Sequence, residues 1–298
     1  MGNLTRAKIN DYYDQFRPVA VTFTKEVISV TGLLTKMVNL KCGSDFFPCV
    51  IYSTSFEAAK VVANNRSGII EKLQATKNSL SLRFCFKIPA TGEQIAFLVP
   101  GRLTEQSPYA GSEDMTLFTL QFSQRPPDDL IEIMGRVLEA NYHFSKNKDL
   151  FFPMSDDVQR RMCLVTKDIV NLAMDGNAYT GILRQLAFGA ACCIMKGLRE
   201  DILNKPISIR FEFDDPHEFC ALEGVVKKCE AVANYPDTAV ITMGFNDPVS
   251  MVYKVRLCDY VTTLRLPTDG PPAAPKPAKP APAADDAQKE DGEEQDGQ

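Results

Sequence analysis

RRMCLVTKDIVNLAMDGNAYTGILRQLAFGAA, residues 160–191, decides how this chain is read. It carries two runs of β-branched, aliphatic and aromatic residues on either side of Asp175-Gly176-Asn177, a triplet suited to a tight turn. The pattern predicts a strand over 163–174, a second over 178–188 and a third in GAACCIMKGL, 189–198. Downstream, KPISIRFEF, FCALEGVVKKCEAV and TAVITMGFND keep the composition of strands. The final segment VSMVYKVRLCDYVTTLRL is expected to close the domain as a helix.

Upstream the same plan recurs. VAVTFTKEVISVTGLLTKM (19–37) and FFPCVIYSTSF (46–56) are expected to be strands, and a short helix is expected near Glu57 to Ala63. SLSLRFCFKI, QIAFLVPGRLTEQ and MTLFTLQFSQ then resume the strand pattern. In PPDDLIEIMGRVLEANYHF, Asp128 and Asp129 suit a helix start, and Leu130, Ile133, Met134, Val137 and Leu138 recur at i, i+3, i+4, i+7 and i+8. A second, N-terminal amphipathic helix is predicted over residues 1–16, ended by Pro18. Two tandem units, each of several strands and a closing helix, suggest a duplication that residue identity does not reveal.

At 298 residues with 45% hydrophobic content the chain can bury two ordinary cores. The net charge of −5 lies entirely in the segment from Pro267 onward, where 3 lysines face 8 acidic residues. The remaining body is neutral, which argues against gripping a nucleic-acid polymer, since that needs concentrated Lys and Arg. The tail holds 7 of the 19 prolines and no Ile, Val, Phe or Tyr. Such a segment is expected to be disordered because it cannot offset its ordering entropy. No apolar run suits a signal peptide or membrane insertion, so the expected location is cytoplasmic.

Nine cysteines without a CxxC pair are expected to be reduced, mostly buried apolar residues, and two histidines offer no zinc spacing. Nucleophile-elbow, phosphate-loop, dinucleotide-fold and zinc-protease motifs are all missing, so a non-enzymatic protein is expected, without cofactor, metal or catalytic residues. Asp214 and Asp215 are expected to form a solvated turn rather than an acid/base pair.

ILRQLAFGAA, FEFDDPHE and YKVRLCDYV at the back, with NDYYDQF, VTFTKEVI, PPDDLIEIMGRVLEAN and FCFKIPATGEQIAFLV at the front, resemble the PilZ domain family of cyclic di-GMP receptors. The resemblance is to the type with an N-terminal PilZ-like barrel before the nucleotide-binding one. It implies a mainly β fold with flanking helices: two tandem six-stranded antiparallel β-barrels, each closed by a helix, plus a disordered C-terminal tail. The implied boundaries are 1–16 for the first helix, 17–147 and 155–266 for the barrels, and 267–298 for the tail.

In the family, an RxxxR segment and a [D/N]xSxxG segment hold the ligand. Arginines stack on guanine and fork onto phosphate, the Asp or Asn and Ser fix the guanine edge, and the Gly admits close approach. On this template Gln185 stands at the Asp/Asn position, Ala187 at the Ser position and Ala190 at the Gly position. The second arginine falls at Arg160 or Arg161, which places Asp156 or Asp157 at the first. Arg184 adjoins the motif. The resemblance therefore implies either a degenerate binding module acting through an unidentified protein partner, or a cyclic di-GMP receptor that uses Arg160, Arg161, Arg184 and Gln185.

Overall fold

The computed structural model describes residues 5–88, 91–165, 168–196, 202–215 and 217–262. The segment expected to be a disordered tail lies outside them. Elements of the front half run α1 (Arg6–Phe16), β1 (Val21–Thr22), α2 (Lys25–Thr31), β2 (Asn39–Cys42), β3 (Asp45–Thr54), β4 (Ala58–Asn64), α3 (Ile69–Ala75), β5 (Ser79–Lys87), β6 (Gln94–Pro108), β7 (Met115–Phe122) and α4 (Asp128–Asn147). The back half runs β8 (Phe152–Pro153), α5 (Asp156–Arg161), β9 (Ile169–Met174), β10 (Asn177–Ala187), β11 (Ala190–Lys196), β12 (Pro206–Phe213), β13 (Glu218–Val232), β14 (Tyr235–Phe245) and α6 (Met251–Val261).

Six antiparallel strands close the front barrel in the order β3-β2-β5-β6-β7-β4, with β4 returning to β3 and β1 added outside β3. The back barrel closes as β10-β9-β12-β13-β14-β11, with β11 returning to β10 and β8 added outside β10. Taken in chain order, the two rings have the same pairings, down to the short extra strand on the second member. The duplication suggested by the sequence is thus a fact of topology. Alternation along the strands explains why the rings close: β9 points Val170, Leu172 and Met174 inward and Ile169, Asn171 and Ala173 outward. Phe84, Phe86 and Phe118 fill the front core, and Phe211, Phe213 and Tyr253 the back one.

Three expectations need correction. Residues 25–31 form helix α2, not strand: Thr24 Oγ1 accepts from Val27 N–H at its start, and Gly32 ends it in the left-handed region at φ 71°. Residues 58–64 form strand β4, not helix, because each pairs with β7 and closes the ring onto β3. The described residues 163–165 and 168 lie outside any strand, since β9 begins only at Ile169, and helix α5 precedes it.

Helix α4 is longer and more deeply buried than a helix closing one barrel needs. Ile131, Met134, Gly135 and Ala140 are all buried, so it is covered on more than one side. Tyr12 of α1 donates to Glu139 at 2.7 Å, while Arg136 donates to Asp259 of α6 at 2.9 Å. Helix α4 therefore packs against elements of both halves. Among the described residues, no helix is long and apolar enough to cross a membrane. Six of the nine cysteines are buried in the barrels and helices, as expected of small apolar residues.

Candidate functional site

Strand β10 carries the key local irregularity. Its register against β11 shifts between Leu183↔Cys193 and Gln185↔Cys192, so Arg184 is an extra residue. A bulge of this kind bends the strand and breaks the in-out alternation. Arg184 and Gln185 are consequently both exposed, side by side on the outer face of the barrel. The Arg184 carbonyl accepts from Met154 N–H at 2.7 Å, which pins the interdomain segment along β10.

These two residues form one wall of a groove of about 760 Å³ whose floor includes Ile182, Ile194 and Val240 and whose far side is Asp156 and Gln159 of α5. Asp168 and Cys192 also line it, and burial pushes the Cys192 thiol up, away from the thiolate. A neighbouring groove of about 780 Å³ shares Asp156 and Gln159 and is lined by Arg160, Asp214 and Asp215. Asp214 and Asp215 form the expected turn, in which the Asp214 carboxylate accepts from Asp215 N–H at 3.0 Å.

The structure therefore brings Arg184 and Gln185 together, with Arg160 in the adjoining groove. It does not add the others. Arg161 lines neither groove; its Nε donates to Asp157 Oδ2 at 2.9 Å, so the second arginine of the expected RxxxR pair bonds to the aspartate standing at the first position. Arg160 Nε donates to the Asp156 carbonyl at 3.1 Å. Ala187 is fully buried and its carbonyl accepts from Tyr253 O–H at 2.6 Å, while Ala190 is 8% exposed. Ala190 is absent from the residues with positive φ, so its methyl group carries no backbone strain.

Sequence reasoning missed the glycine that matters here. A Cβ at Gly189 would lie 2.6 Å from Lys148 Cγ, and Gly189 N–H donates to the Lys148 carbonyl at 2.8 Å. The close approach is to the protein's own interdomain segment. The available signal was the Gly189-Ala190 order in the turn, one position away from the family's glycine. Among the described residues, no cluster of three or more His, Cys, Asp or Glu is arranged to hold a metal.

A bulged strand presenting polar side chains beside a mixed polar and apolar groove, on the second of two barrels of one topology, defines a tandem-barrel protein. Residues 7–141 match the family model of the PilZN3 domain. A cyclic di-GMP binding protein of Treponema denticola is 31% identical over 266 residues, covering 88% of this chain and 84% of the relative. The chain belongs to the PilZ family, in its two-domain form. Among solved structures it is similar to the Borreliella burgdorferi PlzA protein in complex with c-di-GMP, at 20% identity and TM-score 0.39, covering 86% of this chain and 99% of that one. It is also similar to the K. pneumonia MrkH–c-di-GMP complex, at 11% identity and TM-score 0.29, covering 83% and 95%.

Proposed function

We propose that this chain is a cytoplasmic, non-catalytic PilZ regulatory protein whose second barrel holds cyclic di-GMP weakly and acts through a protein partner. One observation carries this: Arg161 is tied to Asp157 and Ala187 is buried, so the groove beside Gln185 lacks the arginine fork and the hydroxyl that grip guanine and phosphate. Each lost hydrogen bond to a buried base costs about 1–3 kcal/mol. Two such losses weaken binding by roughly two to four orders of magnitude relative to an intact motif. Asp156 and Asp168 add carboxylates to the groove that repel the ligand phosphates. Protein contact is supported by Ile169 and Ile182, cross-strand neighbours that are 53% and 46% exposed beside the groove.

A second reading, a working cyclic di-GMP receptor, is favoured by what the 31% identical relative is called. Arg160, Arg184 and Gln185 would be its ligand groups. Calorimetric titration with cyclic di-GMP separates the two. The weak-binding proposal expects no saturation at high micromolar ligand. A low-micromolar dissociation constant, lost in the Arg160→Ala/Arg184→Ala variant, would establish the receptor instead. Restoring the motif with Gln185→Asp, Ala187→Ser, Ala190→Gly and Asp157→Arg is expected to tighten binding at least tenfold, about 1.4 kcal/mol. A folded variant that still ignores the nucleotide would sink the placement of the motif.

A further inference from the structure

Away from the groove on β10, a smaller cavity of about 250 Å³ lies between α2 and α4 of the front half and α6 of the back half. Its apolar lining includes Val30, Ile133, Val252 and Val255. Four carboxylates, Glu132, Asp215, Glu218 and Asp259, line it against two guanidinium groups, Arg136 and Arg256. Both arginines are engaged. Arg136 Nη2 donates to Asp259 at 2.9 and 3.2 Å, and Arg256 donates to Glu218 at 3.3 Å and to the Asp215 carbonyl at 3.2 Å.

Glu132 is the exception. It is only 8% exposed, lines the cavity, and has no hydrogen-bond or ion-pair partner among the described residues. The carboxylate oxygens keep contact with solvent in the cavity but have no pairing charge, so a cation seated against the apolar lining would gain the attraction of a poorly hydrated carboxylate. Its burial pushes the Glu132 carboxyl up, with Arg136 pulling the other way. The space is too small for a nucleotide and large enough for several non-hydrogen atoms.

We propose that this cavity is a binding site for a short aliphatic amine, whose ammonium group pairs with Glu132 and whose carbon chain lies against Ile133, Val252 and Val255. The positive charge satisfies the buried unpaired carboxylate, Asp215 being exposed to solvent, and the excess of acidic lining groups rejects an anion of the same shape. Since α2 and α4 supply one wall and α6 another, the ligand touches both halves of the chain at once. This site is independent of cyclic di-GMP, and the proposal stands or falls without it.

The test uses the full chain titrated with n-butylamine, with n-butanol and butyrate as neutral and anionic probes of the same length. Saturable amine binding in the millimolar range is expected, with both other probes at least about tenfold weaker. Glu132→Gln is expected to bring the amine down to the level of the alcohol. Val252→Phe, which fills the cavity and keeps the carboxylate, is expected to abolish binding, and it decides the matter if Glu132→Gln does not fold. Absence of saturation in the wild type, equal binding of amine and alcohol, or undiminished amine binding in a folded variant would each overturn the site.

Discussion

At the scale of single residues, His143 shows how burial turns into pH dependence. The ring sits on α4 at 7% exposure, with Nδ1 3.2 Å from the Asn147 side-chain nitrogen. Burial holds its imidazolium below the ordinary value of 6.5; Glu139 raises it and Lys8 lowers it further. Around that value the unfolded chain therefore binds more protons than the native one. Stability is complete above 6.5 and is lost as pH falls from there toward the depressed native value. Urea midpoints are expected to fall between about pH 7 and about pH 5.5, and His143→Gln to flatten that slope. The acids Glu132 and half-buried Asp259, both pushed up by desolvation, titrate in the opposite sense, so the difference between wild type and variant isolates the imidazole. An unchanged slope would remove His143 from the account. The same scale limits what sequence says about the nucleotide site: the identities of Gln185, Ala187 and Ala190 were legible. That Arg161 bonds to Asp157 and that Gly189 takes up Lys148 depends on helix α5 and the linker path, which no spacing reveals.

At the scale of elements, Gly135 decides how α1 docks on α4. A Cβ there would lie 2.2 Å from Tyr12 Cδ2 and 2.6 Å from its Cγ. Alanine would favour an isolated helix by about 1 kcal/mol over glycine. The ring cannot swing clear at Cγ, so α1 must shift, and overpacking of this kind costs about 1–3 kcal/mol. Gly135→Ala is therefore expected to destabilise by about 1 kcal/mol in urea unfolding, the opposite sign to its helix propensity. A stabilised variant would show that Tyr12 is not packed there. Helix α4 itself was legible because Asp128, Asp129 and the 3.6-residue apolar stripe agree with its packing. Strand β4 was not, since Ala58, Ala59 and Ala63 have no strand preference and only pairing with β3 and β7 makes them one. Helix α2 was misread from its Val and Ile, although Thr24 and Gly32 carried cap signals at both ends.

At the scale of the whole molecule, the two barrels are copies of one ring. The sequence hides this except at one point: Ser55-Phe56-Glu57-Ala58-Ala59 and Ala187-Phe188-Gly189-Ala190-Ala191 occupy the same register, each one residue beyond a bulged strand's pairing with its outer partner. Duplicated barrels joined by a linker would ordinarily move independently. Here the joint is built from side chains of both halves. Glu26 of α2 accepts from Met251 N–H at 2.9 Å at the start of α6, Lys254 of α6 lies 4.0 Å from the Phe144 ring centre, and Lys148 pairs with Asp247 at 2.9 Å. Helix α6 buries eight of its eleven residues, among them Lys254, so removing α4 would expose part of a helix that its own barrel does not cover. The barrels are therefore expected to unfold together. The chain has no tryptophan, which allows a single reporter in each half: Phe97→Trp on β6 and Tyr179→Trp on β10, both only partly exposed positions. Urea midpoints from the two reporters and from circular dichroism are expected to coincide, with one slope for the whole chain. Two separated midpoints would mean that α4 belongs to the front barrel alone, and the cavity between α4 and α6 would then open before either barrel unfolds.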